Sequence, residues 1–182
     1  EGHIFGLDVD PIESAKTKER LASQGFGEEL LTVKLINFAQ IDKVAEEAGR
    51  KFDFVLADLG VSSMQIDNPD RGFTFKYDGP LDLRLDPTSG VSAAERLREL
   101  DQEELTAMLV ENSDEPYAEE IAEEILKQKR KGGVKTTTDL KEVIERALKF
   151  LPAKEQKEAV KKACARTFQA LRIDVNSEFE VL

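Results

Sequence analysis

The sequence predicts an α/β fold in which a parallel sheet made of βα units is followed by a run of helices. Three observations carry this. Apolar runs end in aspartates across residues 1–60, amphipathic stretches with helix caps separate them, and from Ser92 onward the hydrophobic pattern keeps a helical period.

The elements follow in order. Ile4-Phe5-Gly6-Leu7, ending in Asp8, reads as a first strand. Asp10 supplies an N-cap, Pro11 suits the first helical position, and Glu13 completes a capping box; Gly25 or Gly27 stops that helix. Leu30 to Ile36 forms a second buried strand, Ile41 to Ala48 a short helix ended by Gly49, and Phe52 to Ala57 a third strand ending at Asp58. Residues 59–90, with Gly60, Pro69, Gly72, Gly79, Pro80, Pro87 and Gly90, hold no period and predict a long functional loop. Ser92 with Glu95, Asp101 with Glu104, and Asp139 with Glu142 are three capping-box pairs that open helices. Ile121, Ile125 and Leu126 stripe one helix, which ends at Gly132-Gly133; Leu140, Val143, Ile144, Ala147 and Leu148 stripe the next, which ends at Pro152. A last helix carries Phe168, Leu171, Val175 and Phe179.

Composition removes several function classes. The 182 residues suffice for a core without staples, and a mean hydropathy of −0.42 is ordinary for a soluble domain. No apolar run spans a bilayer, and one cysteine, Cys164, suits a reducing cytosol, so the expected location is cytoplasmic. A single histidine leaves little for a zinc site or a Ser-His-Asp triad, and no metal is expected. The net charge of −11 is unevenly spread: Glu95 to Glu124 holds 12 acidic and 2 basic residues, whereas Lys127 to Arg166 holds 13 basic and 5 acidic. The basic half reads as either a phosphate-facing surface or a solvated helix face.

Candidate chemistry clusters at strand ends and in the long loop. Asp8, at the carboxyl end of the first strand, is placed to accept the two ribose hydroxyls of an adenosine, since Asp10 already serves as the helix cap. Asp58 to Gln65 lies at the end of the third strand, where Gly60 permits close backbone approach and Ser62, Ser63 and Gln65 offer donors and acceptors. Arg71, Phe73 and Phe75 suit the stacking of a splayed base, or else anchor the loop to the core.

Four motifs then make the chain recognisable: Asp58-Leu-Gly-Val-Ser-Ser-x-Gln-x-Asp67, Arg71-Gly-Phe-x-Phe75, Asp78-Gly-Pro-Leu-Asp82-x-Arg84-x-Asp86, and Arg166-Thr-Phe-Gln-Ala-Leu-Arg-Ile-x-Val-Asn176-x-Glu178. Together they resemble the ribosomal RNA small-subunit methyltransferase H family, also called MraW, and the resemblance runs through essentially the whole chain. It implies a Rossmann-like S-adenosylmethionine-dependent methyltransferase sheet, over residues 1–90 and 165–182, with an inserted helical substrate-recognition domain over 91–164. It implies methylation of the N4 amine of a cytidine in small-subunit ribosomal RNA, with naked RNA or the assembled small subunit as partner. The family's cofactor contacts fall on Asp8, Phe38, Asp58 and Gln65, and Asp58 is also the candidate acceptor for the amine hydrogens. For the RNA, the expected contacts are Arg71, Phe73, Phe75 and a basic face of Lys127, Lys129, Arg130 and Lys131, with Lys161, Lys162 and Arg166 nearby.

The chain departs from the family pattern in places. The Gly-Gly-His loop that grips the methionine end of the cofactor does not occur in it, nor do the later strands, so the chain alone is expected to be inactive. Lys162-Ala163-Cys164-Ala165 stands where relatives have His-Pro, and Tyr117-Ala118-Glu119-Glu120 where they carry arginines. The rival readings are a nicotinamide dehydrogenase fragment, which Asp8 alone would equally suit, and a non-catalytic helical interaction module on a degenerate nucleotide-binding sheet.

Overall fold

A computed structural model describes residues 2–181. The chain divides into two compact units, one formed by residues up to Gly60 with Leu85–Pro87 and the C-terminal residues from Glu180, the other by Val61–Arg84 and Thr88–Phe179.

In the first unit, β1 (Ile4–Asp8) and β2 (Leu31–Leu35) pair in parallel with Ile4 opposite Leu31 and Asp8 opposite Leu35. The connection is α1 (Pro11–Ser23), a βαβ crossover of the expected kind. Asp10 caps α1 by accepting from the backbone N–H groups of Ile12 and Glu13 at 2.9 and 3.2 Å. Glu13 does not close the expected capping box; it turns instead to the Lys16 ammonium at 2.8 Å. After β2 comes a short 3₁₀ turn at Phe38–Gln40, capped by Asn37, and then α2 (Ile41–Ala48), ended by Gly49 in the left-handed region.

The third strand does not form: Phe52 to Ala57 makes no ladder, and the described sheet has two strands, not three. Phe54, Val55 and Leu56 are exposed by 79%, 61% and 77%. An apolar run is a strand only when a neighbour accepts its hydrogen bonds and covers its faces, and the run itself encodes neither.

The second unit is helical: α3 (Ser63–Ile66), α4 (Ala93–Glu99), α5 (Gln102–Ser113), α6 (Ala118–Lys131), α7 (Thr137–Ala147) and α8 (Ala153–Val175). The core lies between α5, α6, α7 and α8, where Leu105, Leu109, Ile121, Ile125, Leu140, Ile144, Leu148 and Leu171 are fully buried. The boxes at Ser92 and Asp101 form as expected. On α7 the box is Thr136 with Asp139, one turn earlier than the expected Asp139 with Glu142. Threonine is an accepted though weaker N-cap than aspartate, and the helix that starts there buries Leu140, Val143 and Ile144. The last helix begins well before Phe168, at Ala153, and Phe179 lies beyond its end.

The stretch expected as a structureless loop is partly ordered into α3 and a 3₁₀ turn at Pro69–Arg71, and residues 61–84 pack as part of the helical unit. Pro80 bridges Thr136, and the Asp82 and Leu81 carbonyls accept from Ala93 and Ala94 at the start of α4. Gly72 is required at its turn: its φ is +74°, and a Cβ there would collide with the Pro80 carbonyl.

Candidate functional site

The end of the small sheet is built by two adjacent strand termini. Ile36 donates its N–H to the Asp8 carbonyl at 2.9 Å, so the chain leaves β2 directly beside the last residue of β1. Asn37 then caps the turn that carries Phe38, accepting from Ala39 at 2.9 Å. Asp8 and Phe38 thus stand at neighbouring carboxyl ends of a parallel pair, where such sheets hold ligands. The Asp8 carboxylate is exposed, and its Oδ1 is oriented by the Asp10 N–H at 2.9 Å. Its Oδ2 has no partner among the described residues, and Phe38 is half-buried. An oriented acidic acceptor beside an aromatic ring fits the ribose and adenine of an adenosine.

Asp58 lies on the exposed segment that follows Phe52, outside any strand. Gln65 sits in the helical unit, buried, and its side chain closes a capping box with Ser62: the Ser62 N–H donates to Gln65 Oε1 at 2.8 Å and the Gln65 N–H donates to Ser62 Oγ at 3.3 Å. The spacing Ser62-x-x-Gln65 is itself a capping-box signature in the sequence.

The aromatic loop is folded inward. Arg71 is 5% exposed, donates to the Arg84 carbonyl at 3.1 Å and lies over the Phe73 ring at 5.6 Å. Phe73 is buried as well, and Phe75 packs on Phe168 with ring centroids 5.5 Å apart. In this structure the three side chains anchor the loop to the helices. Arg84 forks onto Asp82 with bonds of 2.8 and 2.7 Å. Burial opposes the charged form of Asp82, but the Arg84 guanidinium outweighs it and holds the carboxyl below its ordinary value.

Between Asp82 and Arg84, Leu83 adopts φ +64°, a left-handed conformation uncommon for a leucine. Asn176 holds it there by donating to the Leu83 carbonyl at 2.8 Å. Sequence reasoning missed this pair, because leucine carries no left-handed signal and Asn176 is 93 residues away.

The basic run of α6 is unequally free. Lys127 pairs with Glu123 at 2.8 Å and Glu124 at 3.6 Å, and Lys129 donates to the Leu100 carbonyl at 3.1 Å. Arg130 and Lys131 are exposed and make no ion pair among the described residues. The Arg166 charge acts on Glu115, just before the start of α6. Glu115 itself is 2% exposed; its Oε1 accepts from the Tyr117 N–H at 3.0 Å, and its Oε2 has no partner. Burial raises its carboxyl above the ordinary value, against the Tyr117 N–H and the Arg166 charge. Cys164 is buried too, which pushes its thiol up to about 12.

Among the described residues no group of three histidine, cysteine or acidic side chains is arranged to hold a metal ion, and no helix is long and apolar enough to cross a membrane. A parallel βαβ unit and a helical unit together define an α/β protein. The chain belongs to the MraW methylase family, whose profile matches residues 1–182. It is 65% identical over its full length to ribosomal RNA small subunit methyltransferase H 1 of Agathobacter rectalis, covering 52% of that protein. It is 64% identical to the protein of the same name from Lachnoclostridium phytofermentans, covering 50%, and 55% identical to methyltransferase H 2 of Alkaliphilus metalliredigens, covering 52%. The chain therefore spans about half the length of the curated relatives it matches.

Proposed function

We propose that this chain belongs to an S-adenosylmethionine-dependent methyltransferase that modifies the N4 amine of a cytidine in small-subunit ribosomal RNA, within a Rossmann-like sheet. The observation that carries the reading is the pair of strand ends at Asp8 and Phe38, and the family's named relatives support the choice of methyl transfer. Asp8 would accept the ribose hydroxyls and Phe38 would lie against the adenine, and the family resemblance assigns Asp58 and Gln65 to the cofactor as well. The cofactor, when bound, supplies an activated methyl group on a sulfonium. A cytosine amine is a poor nucleophile because its lone pair is shared with the ring, so the protein must orient it, exclude water and accept hydrogen as charge develops. Asp58 is the proposed acceptor.

The helical domain, proposed as an insertion over 91–164, would face the RNA, or the assembled small subunit, in the cytoplasm. Its free cations at the end of α6, Arg130 and Lys131, are the proposed phosphate contacts; Lys127 and Lys129 are already engaged within the unit. Arg71, Phe73 and Phe75 would then support the RNA side by fixing the loop. The test is transfer of labelled methyl groups to isolated small subunits by a protein of full family length carrying these residues. N4-methylcytidine in the digested RNA is the expected product. Label on another base or position, or no transfer with Asp58 intact, overturns the reading.

A further inference from the structure

The charge of the chain reverses along one short stretch, of which the sequence places only Lys161, Lys162 and Arg166 near an RNA-facing surface. From Lys149 to Arg166 there are six basic and two acidic residues, net +4 in a chain of net −11. Lys154, Lys157 and Lys161 are spaced three and four apart on α8, which puts them on one helix face. All three are exposed, in the first part of α8, which buries side chains only from Ala163 onward. Lys149, at the turn before α8, is exposed as well. None of these four lysines makes an ion pair or hydrogen bond among the described residues, whereas Lys162, one residue beyond the stripe, is occupied by Glu158 at 3.5 Å.

Beside the lysines stand two aromatics that the core does not consume. Phe150, next to Lys149, is 61% exposed, and its ring meets the half-buried Tyr117 ring edge-on at 6.1 Å. An aromatic flanked by unpaired cations is what a stacked base with its phosphates requires.

We infer that Phe150 and the Lys149, Lys154, Lys157 and Lys161 face form a second contact surface for unpaired RNA, with Phe150 stacking a base and the lysines following the backbone. It rests on the RNA-modifying reading, and it uses residues other than the free cations of α6. Unpaired RNA is favoured over a duplex because a stacking ring needs a splayed base. It is favoured over an acidic protein because the RNA-modifying reading already supplies an RNA partner, and competition by polyglutamate tests the alternative.

The experiment is fluorescence anisotropy of this chain with a single-stranded oligoribonucleotide, repeated over a salt series, with the matching duplex and polyglutamate as competitors. Phe150→Ala should weaken binding by roughly 5- to 150-fold with an unchanged salt slope, the loss expected for one stacked base. Lys154→Ala, Lys157→Ala and Lys161→Ala together should lower the slope by about 2 units. All four side chains are exposed, so the variants should keep the helical circular dichroism of the parent chain. Unaltered affinity in both variants, equal competition by polyglutamate, or no binding of the oligonucleotide overturns this surface. Failure of the RNA-modifying reading is seen separately, as absence of methyl transfer in the full-length assay, which does not depend on Phe150.

Discussion

Asp8 and Asp10 follow the same strand and divide two tasks between them. Asp10 spends its carboxylate on the first N–H groups of α1, and its own N–H orients the Asp8 carboxylate. Asp8→Ala should therefore leave the helix intact and weaken cofactor binding in a full-length protein. Hydrogen bonds to a charged acceptor are worth about 1.5–3 kcal/mol each, or roughly 10- to 150-fold in affinity for the first one lost. Calorimetric titration with S-adenosylmethionine checks this, and unchanged affinity would reduce Asp8 to a turn residue. Glu115 is a residue of another kind, a buried carboxyl with one unpartnered oxygen. Burial raises its pKa, so the folded chain keeps a proton that the unfolded chain has lost. Its contribution to stability is fully present below the unfolded pKa and disappears as pH rises through the folded one. Glu115→Gln keeps the acceptor for the Tyr117 N–H and should flatten the rise in urea midpoint on acidification through the glutamate range. A slope equal to that of the parent chain would show that another group titrates there.

At the scale of elements, helix starts carry the clearest instructions. The caps at Asp10, Ser92 and Asp101 were all legible, because a short polar side chain before an apolar stripe has few other uses. The α7 cap shows the limit of that reading, since Thr136, Thr137, Thr138 and Asp139 offer several starts and only packing selects Thr136. Thr136→Ala should cost about 0.5–2 kcal/mol of the helical unit's stability. Glu142→Ala should cost little, because Glu142 is exposed and its pairing with Arg146 is long, at 3.9 Å. Denaturation midpoints of the two variants decide which box opens the helix. Strands were less legible than helices. β1 and β2 were found because each is joined to the other through α1, while Phe52 to Ala57 has the same composition and no partner. Among site residues, Asp8 was readable from its place at a strand end, whereas Phe38 came from the family resemblance alone. The capping role of Gln65 and the inward turn of Arg71 depend on neighbours that the local pattern does not name.

The two units differ sharply in what holds them. Among the described residues, Val44 is the single fully buried apolar side chain of residues 2–60, whereas the helical unit contains a continuous core from Leu81 through α4 to Ile173. Hydrophobic burial is the main favourable term in folding, and a two-stranded sheet with little of it is marginal on its own. Local opening should follow the same division, since segments with few buried contacts open at free energies far below the global value. In native-state hydrogen exchange, the amides of β1, β2 and α1 should therefore exchange first and gain little protection from dilute conditions. The inner amides of α5, α6, α7 and α8 should exchange last, and together, as one cooperative unit. Limited proteolysis should agree, with early cuts in the exposed stretch 52–60, which has no ladder, and late cuts within α5 to α8. Adding S-adenosylmethionine to a full-length protein should slow exchange at Asp8 and Phe38 more than in the helices, because a ligand stabilises the segment it binds. Equal protection across both units would mean that the sheet opens only with the core, and the two-unit description would then fail as an account of stability.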